Sequence, residues 1–313
     1  MLQHPKHIFQ NPEFLAQGWG ALFEKEQPLT LEIGCGHGQF LIYMAEKHPE
    51  QNFIGLDIIN KILIKVEKRI ATLGLKNAIP CKMDANLALR ELFPEGSLDN
   101  IYILFPDPWP KDKHERRRMV RPENLPVFIN ILKAGGHLHF VSDAPPYAAQ
   151  VEALLNERPE FKRVDFPEGI DIKTKYEKKW LEQHKYIQRF SYQKISETVP
   201  ENWPSTSPEV SFQLTDWSPT KNDAIYHGFE PYVHKFDGKV IKLRKVYREF
   251  GSERIMLQAV LAQPELMSHD FFVFVAPNGD CELPKASYLP RVLGYKDVLA
   301  GLADAIVTFA LNK

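Results

Sequence analysis

The chain has 313 residues, 44% of them hydrophobic, and a formal net charge of −1. This length exceeds one ordinary core, so one large domain or two unequal domains are expected. No apolar run is long enough to cross a bilayer and no signal peptide is evident, which predicts a cytoplasmic protein without a membrane partner. The near-neutral balance excludes attraction of nucleic acid by the whole molecule, so any polyanion has to be held by local clusters of cations.

The cysteines argue against both a disulfide framework and a metal centre. Cys35, Cys81 and Cys281 are odd in number, far apart and without metal-ligand spacing. This suits reduced thiols in a cytosolic protein. The scattered histidines form no plausible constellation either, so no metal is expected.

Strands and helices alternate from Leu29 onward. The segment "LTLEIGCG" predicts a buried strand that enters a glycine turn, and "QFLIYMAEKH" carries apolar residues at helical spacing. Further strands are predicted at "NFIGLDI", "AIPCKMDA", "LDNIYILF" and "HLHFVSD". Helices are predicted at "KILIKVEKRIATLG", at "YAAQVEALLNE" and at "PENLPVFINILKAGG", the last ending at Gly135 and Gly136. This rhythm predicts an α/β fold with a doubly wound, mostly parallel sheet.

The composition changes after about Pro200. Residues 1–200 are predicted as the α/β domain, and 201–222, rich in proline, serine and threonine, as a linker or extended arm. Residues 223–313 then predict a small α+β domain. Its strands are expected at "KVIKLRKVYREF", "RIMLQAVLA" and "DFFVFVAPNGDCELP", with a tight turn at "NGD", and its helix at "YKDVLAGLADAIVTFAL".

Three glycines, Gly34, Gly36 and Gly38, lie between the first strand and the first helix. Glycines let a ligand approach the backbone closely, and the start of the helix offers unpaired N–H groups. The dinucleotide fingerprint requires a glycine where Gln39 stands, so the usual nicotinamide or flavin motif is not met. A G-x-G-x-G turn preceded by an acid, here Glu32, is instead typical of methyltransferases that bind S-adenosylmethionine.

Acidic residues follow the next two strands. Asp57 ends the second strand and Asp84 the third. Because the carboxyl ends of parallel strands meet at one edge, Glu32, Asp57 and Asp84 are predicted to converge on a cofactor crevice. There Asp57 would accept the ribose hydroxyls, and Asp84 would reach the adenine amino group. The alternative is that the glycines form only a tight connection and that the aspartates cap the following helices.

The segment "FPDPWPK" follows the fourth strand and surrounds Asp107 and Trp109 with prolines. Each proline fixes its own φ and restricts the residue before it, which predicts a rigid loop at the cofactor edge. Trp109 could stack on a base or serve as a buried anchor. A run of cations comes next, which could be a solvated helix face, although its position beside the loop favours phosphate contacts.

The segments "EIGCGHGQF", "FPDPWPK", "HERRR" and "TKYEKKW" together resemble bacterial tRNA (guanine-N7-)-methyltransferases over about residues 5 to 195. The resemblance implies transfer of a methyl group from S-adenosylmethionine to N7 of a guanosine in the tRNA variable loop, position 46, by a cytoplasmic monomer or homodimer. It implies that Asp107 is catalytic, and that the cofactor is bound by Glu32, Gly34, Gly36, Gly38, Asp57, Asp84 and Asp107. It implies substrate or RNA contacts for Lys111, Lys113, His114, Arg116, Arg117, Arg118, Asp143, Thr174, Lys175, Tyr176 and Glu177.

Two other functions stay open at this point. An amino-methyltransferase would carry a [DN]-P-P-[YFW] loop at this place, and "DPW" lacks its second consecutive proline. A catalytically silent RNA-binding scaffold of the same fold is the other, although the acids Glu32, Asp57 and Asp107 argue against it.

The segment "KVIKLRKVYR" alternates Lys242, Arg244 and Arg248 with apolar residues, which predicts a strand with one basic face. This face could extend an RNA-binding surface. The favoured interpretation is an edge strand that its charges protect from pairing with other chains.

Overall fold

The computed structural model describes residues 19, 22–168, 187–197, 211–263, 267–284 and 295–312. The chain divides into two compact units, Met1–Glu201 and Asn202–Lys313. Among the described residues, no helix is both long enough and apolar enough to cross a membrane. The three cysteines are buried and unpaired.

The first unit contains a seven-stranded sheet of β1 Leu29–Ile33, β2 Asn52–Asp57, β3 Ala78–Lys82, β4 Leu98–Leu104, β5 Leu132–Ser142, β6 Phe161–Val164 and β7 Gln188–Lys194. The strand order is β3-β2-β1-β4-β5-β7-β6. The first five strands run parallel, whereas β7 is antiparallel to both β5 and β6. The predicted mostly parallel, doubly wound sheet is therefore confirmed. Its order reverses between β1 and β4, and ligands bind such sheets outside the carboxyl ends of the strands at this switch point.

The connections of this sheet are α1 Gln39–Lys47, α2 Asn60–Thr72, α3 Ala85–Glu91, α4 Leu125–Ile131 and α5 Pro145–Asn156. In α1 the apolar side chains at helical spacing, Phe40, Leu41, Met44 and Ala45, are buried, as predicted. They belong to one apolar cluster with Phe53 of β2 and Tyr102 of β4. Burial of each large apolar side chain contributes about 1.5–3 kcal/mol, and this packing fixes the start of α1 against the sheet.

The structure differs from the sequence prediction in several short elements. The helix expected to end at Gly135 and Gly136 ends at Ile131, and β5 begins at Leu132. The pairing of β4 with β5 shifts register between Leu98 and Asn100, so the two glycines lie in a bulged part of the strand. Helix α3 and strands β6 and β7 were not predicted: α3 and β6 are too short to show a clear period, and the sequence of β7, "QRFSYQK", is largely polar.

A row of polar side chains crosses the first sheet within its core. Asn100 Nδ2 donates to Thr30 Oγ1 at 3.2 Å, and the two ring nitrogens of His139 lie 2.7 Å from Ser191 Oγ and 3.5 Å from Asn100 Oδ1. Burial, together with the smaller effect of the charge on neighbouring His137, lowers the pKa of His139 to about 3. The imidazole is therefore neutral and serves as a hydrogen-bonding partner between strands.

The described part of the second unit consists of a six-stranded antiparallel sheet and two helices. Its strands are β8 Ser211–Gln213, β9 Tyr232–Phe236, β10 Lys239–Arg248, β11 Ile255–Gln263, β12 Met267–Val275 and β13 Asp280–Glu282, and its helices are α6 Pro219–His227 and α7 Tyr295–Leu311. The order is β8-β13-β12-β11-β10-β9. One face of the sheet is buried, where Leu257 and Val273 belong to the same core as Leu302 and Ile306 of α7.

Two expectations for this region are wrong. The segment 201–222 is not a linker from residue 211 onward, because it contains β8 and the start of α6, and Leu214 is buried in the core of the second unit. The basic strand β10 is not an edge strand either. It pairs with β9 on one side and with β11 on the other, and β9 forms the edge.

Candidate active site

The glycine turn connects β1 to α1 and faces open space. Gly34 and Gly36 have φ values of +77° and +49°, and a Cβ built on either would meet no atom within 4 Å. Gly36 N–H donates to Asp57 Oδ2 at 2.9 Å, which links the turn to the end of β2. Gly38 is different, because a Cβ there would lie 2.5 Å from Val66 Cγ1 of α2. Two of the glycines therefore leave room for a ligand, and the third permits close helix packing.

Glu32 is a buried carboxyl beneath this turn, with only 4% of its surface exposed. It accepts a hydrogen bond from the backbone N–H of Leu41 in the first turn of α1. Its Oε2 atom is buried and has no hydrogen-bond partner among the described residues. Burial, together with the smaller effect of the Asp57 carboxylate, raises the pKa of Glu32 to about 8. An unpaired buried carboxyl of this kind is suited to a cationic ligand group.

Asp57 and Asp84 lie at the ends of β2 and β3, on the same edge of the sheet. Asp57 is half-buried, and its Oδ1 accepts the N–H of Ile59 at 2.9 Å. Asp84 is exposed and caps α3 through Oδ1, which accepts the N–H groups of Asn86 and Leu87. The helix-capping interpretation is therefore confirmed for Asp84. Its contact with a cofactor stays a prediction, which the capping bonds do not prevent because Oδ2 makes none of them.

The proline-rich loop after β4 has a strained backbone. Phe105 and Trp109 have φ values of +50° and +42°, in the left-handed region that side chains other than glycine rarely adopt. Each such residue costs on the order of 1 kcal/mol or more and persists only where its surroundings hold it. Phe105 N–H donates to the carbonyl of Val141 in β5 at 2.8 Å, which fixes the start of the loop. The loop presents Asp107 exposed at the carboxyl edge of the sheet.

Arg118 fixes the other half of this loop. Its Nε donates to the Pro108 carbonyl at 2.9 Å, and one terminal nitrogen donates to the Trp109 carbonyl at 3.2 Å. The other terminal nitrogen bonds to Glu115 at 2.6 Å and to Gln150 of α5. The guanidinium also lies 5.3 Å from the ring centre of Tyr147. This side chain is only 13% exposed, so it differs from the neighbouring cations and holds the loop in place.

The remaining cations surround Trp109 or extend into solvent. They lie on a short 3-10 helix, Asp112–Arg117, rather than on an α-helix. The Arg117 guanidinium lies 4.9 Å from the Trp109 ring centre, and the His114 ring packs against the same indole at 5.9 Å. Lys111, Lys113, Arg116 and Arg117 are exposed. The structure therefore brings these predicted RNA contacts together beside Asp107.

The other predicted substrate residues are placed only in part. Asp143 directly follows β5 and is half-buried at the same sheet edge. Thr174, Lys175, Tyr176 and Glu177 lie outside the described residues. Within the described ranges, no group of three His, Cys, Asp or Glu side chains could hold a metal ion.

Two residues of this site were missed by the sequence analysis. Tyr147 packs on Arg118, and its hydroxyl oxygen accepts the Val120 N–H at 3.0 Å, just beyond the basic run. Gln150 bonds both Arg118 and Glu115 from the same helix. No motif marks either residue, because they meet the loop only through the tertiary packing of α5.

Comparisons with known proteins agree with this geometry. Residues 26–190 match the family model Methyltransf_4, described as "Putative methyltransferase". The tRNA (guanine-N(7)-)-methyltransferase of Thermotoga maritima is 32% identical over 238 residues, which cover 74% of this chain and 74% of that one. The enzyme of the same name from Syntrophotalea carbinolica is 35% identical over 199 residues, covering 60% of this chain and 85% of that one.

The chain belongs to the bacterial tRNA (guanine-N(7)-)-methyltransferase family. Solved structures are more distant. An S-adenosylmethionine-dependent methyltransferase from Aquifex aeolicus has a TM-score of 0.39 at 16% identity, covering 61% of this chain and 98% of that one. The 16S rRNA methyltransferase KamB has a TM-score of 0.43 at 16% identity, covering 57% and 93%.

In this methyltransferase family member, the family-model match lies within the first unit, whereas the match to the Thermotoga maritima enzyme is longer than the first unit and extends into the second. The matched residues include the glycine turn, the strand-end acids and the proline-rich loop. The sheet brings these features to one edge in the order Asp84, Asp57, Glu32, Asp107 and Asp143, which is the order of their strands.

Proposed function

We propose that this chain transfers a methyl group from S-adenosylmethionine to N7 of guanosine 46 in the variable loop of tRNA. The observation that carries the proposal is the position of two features on the adjacent strands β1 and β4. Glu32 presents an unpaired buried carboxyl oxygen beneath an open glycine turn, and Asp107 is held beside it on a rigid loop. The names of the relatives supply the reaction class.

The residues at the glycine turn fit S-adenosylmethionine. Its amino group is a cation, and Glu32 offers the buried carboxyl oxygen that such a group would satisfy. Gly34 and Gly36 leave space for close approach, while Asp57 and Asp84 carry carboxylates at the neighbouring strand ends. When bound, this cofactor supplies a methyl group on a positively charged sulfur.

Asp107 acts through charge and position rather than as a base. N7 of guanine carries a lone pair and no proton, so its attack on a methyl group requires no proton removal, and positioning is the main demand. The methylated base carries a positive charge, which a fixed carboxylate stabilises as it develops. The same carboxylate would orient the guanine by accepting hydrogen bonds from its N1–H and amino group.

The exposed cations beside this loop would bind the RNA backbone. Lys111, Lys113 and Arg116 extend into solvent, where release of counterions from phosphates favours binding. Trp109 is half-buried between Arg117 and His114, so its indole can form one wall of the guanine site. The main-chain position of this wall depends on Arg118.

The test is incubation of the full chain with an unmodified tRNA transcript and methyl-labelled S-adenosylmethionine, followed by nucleoside analysis. N7-methylguanosine at position 46 is expected, and a transcript with adenosine at that position serves as the control that receives no label. An N2- or N6-methylated product would instead identify an amino-methyltransferase. Absence of any cofactor binding in a calorimetric titration would identify a silent scaffold.

A further inference from the structure

The second unit has a basic surface that takes no part in the proposed methyl transfer. The sheet buries one face against its helices, so alternate residues of β9 and β10 lie on the opposite, open face. On β9, Tyr232 and Phe236 pack against the core, which places Lys235 on the open face. On β10, Ile241 and Leu243 are buried, which places Lys242 there as well.

A register shift between Leu243 and Lys245 adds two more cations to this face. Arg244 lies in the bulge and pairs with Asp270 of β12 at 3.2 Å. Lys245 pairs in register with Gln258, whose neighbours Leu257 and Ala259 are buried, so Lys245 also lies on the open face. The basic face of the second unit thus consists of Lys235, Lys242, Arg244 and Lys245.

The lysines of this basic face are not neutralised. Lys235, Lys242 and Lys245 are exposed, and none forms an ion pair with a described residue. Two acids of the same face pair with arginines instead of these lysines, Asp270 with Arg244 and Glu282 with Arg254 at 2.9 Å. Protection of a sheet edge does not explain Lys242, Arg244 and Lys245, because β10 is paired on both sides.

Exposed aromatic side chains continue the same strand. Tyr247 is 41% exposed and follows the lysines along β10. Phe250, in the turn between β10 and β11, is fully exposed. Cations that follow a strand with exposed aromatic rings at its end are the arrangement that binds phosphates and stacks unpaired bases.

From this arrangement we infer that the basic face of the second unit is an additional tRNA-binding surface that contacts the phosphate backbone, with Phe250 stacking on an unpaired base. The inference rests on the proposed function in taking tRNA as the occupant. The basic face would increase the affinity for tRNA, and the second unit would take no part in the chemical step.

The test compares two triple variants of the full chain with equal charge change. One carries Lys235→Ala, Lys242→Ala and Lys245→Ala, and the control carries Lys25→Ala, Lys65→Ala and Lys68→Ala, which removes exposed lysines of the first unit. The affinity for unmodified tRNA is measured without cofactor by fluorescence anisotropy over a salt series. Circular dichroism melting confirms that both variants fold.

We expect the first variant to lose affinity by roughly tenfold or more at about 0.1 M salt, with the slope of log affinity against log salt reduced by about 2 to 3. A separate Phe250→Ala variant weakens binding about tenfold with an unchanged slope, because stacking releases no counterions. In methylation assays both raise the KM for tRNA and leave kcat unchanged. An effect equal to that of the control triple variant, or no effect, overturns the inference.

The outcome is separable from that of the proposed function. If the unaltered chain forms N7-methylguanosine but the basic face proves irrelevant to affinity, only the inference fails. If the basic face controls tRNA affinity but no N7-methylguanosine forms, only the proposed reaction fails.

Discussion

Arg118 donates from Nε to the carbonyl oxygen of Pro108 at 2.9 Å, so a residue of the basic run holds the backbone of the loop that carries Asp107. Lysine in its place would keep the charge but lose the planar fork that reaches two carbonyls at once. We expect Arg118→Lys to lower kcat about 10- to 100-fold, since small displacements of a positioned group are costly, while the salt dependence of tRNA affinity stays unchanged. Steady-state kinetics and a salt series measure both. The control is Arg116→Lys on the exposed side of the same segment, and equal kcat values for the two variants would contradict the role given to Arg118.

Replacing Asp107 with Asn keeps the shape of the loop side chain and removes its charge. We expect kcat to fall about 100-fold, because stabilisation of the positive charge developing on guanine is lost, with little change in tRNA affinity. Single-turnover methylation with saturating tRNA measures the effect. Asp297→Asn, an exposed aspartate of the second unit, is the matched control. If Asp107→Asn retained full turnover, the electrostatic role would be wrong.

Cofactor binding should release a proton through Glu32. Burial raises the pKa of this carboxyl to about 8, so it is mostly protonated at neutral pH without ligand, and a cationic partner favours its ionised form. Calorimetry in buffers of different ionisation enthalpy at about pH 6.5 should show release of nearly one proton per cofactor, falling toward zero above about pH 9. The affinity for the cofactor should rise with pH up to about 8, because the cationic ligand group favours the ionised carboxylate. Glu32→Gln should abolish the proton release together with most of the affinity, and the absence of release in the unaltered chain would refute the linkage.

The open side of the glycine turn can be tested with a matched pair of substitutions. Gly36 and Gly74 have φ values of +49° and +69°, and a Cβ on either would meet no atom within 4 Å. Substitution by alanine at either position should therefore destabilise the folded chain by a similar amount, about 1 kcal/mol, through backbone strain. Only Gly36→Ala should weaken cofactor binding, by at least about tenfold, because its methyl group enters the space left for the ligand. Equal cofactor affinity in both variants would show that the ligand lies elsewhere.

The neutral His139 should make the first unit sensitive to acid. Its folded-state pKa is lowered to about 3 from an ordinary value of 6.5, so the unfolded chain binds more protons between these values. Stability therefore falls as pH drops through this window, by up to about 1.4 kcal/mol per pH unit. His139→Gln should flatten the dependence of the unfolding free energy on pH, measured by urea denaturation. His48→Gln, where the side chain is 30% exposed, serves as the control. Between about pH 4.5 and 8, the raised pKa of Glu32 makes the unfolding free energy fall as pH rises, which is the opposite of the His139 effect. Comparing variants that all retain Glu32 cancels this contribution.

The alternation of buried strands and amphipathic helices was sufficient to predict the parallel sheet and the edge at which Glu32, Asp57, Asp84 and Asp107 meet. It was not sufficient for α3 or β6, whose seven and four residues are too few to display a period. The distinction between Arg116 and Arg118 was also invisible, because the contacts of Arg118 with the loop carbonyls and with a helix about thirty residues further along the chain form only in the folded protein. The neutral state of Glu32 likewise depends on burial depth, which no local pattern reports.

The strained loop has a consequence for protein engineering. Trp109 keeps a backbone conformation that glycine would adopt at lower cost, and the interactions that hold it come from Arg118 and, through Arg118, from Gln150. A peptide of the sequence "FPDPWPK" alone would therefore relax to other conformations. Transplanting this loop into another enzyme would also require an arginine and a glutamine at the positions that Arg118 and Gln150 occupy here, so the transferable unit is discontinuous in sequence.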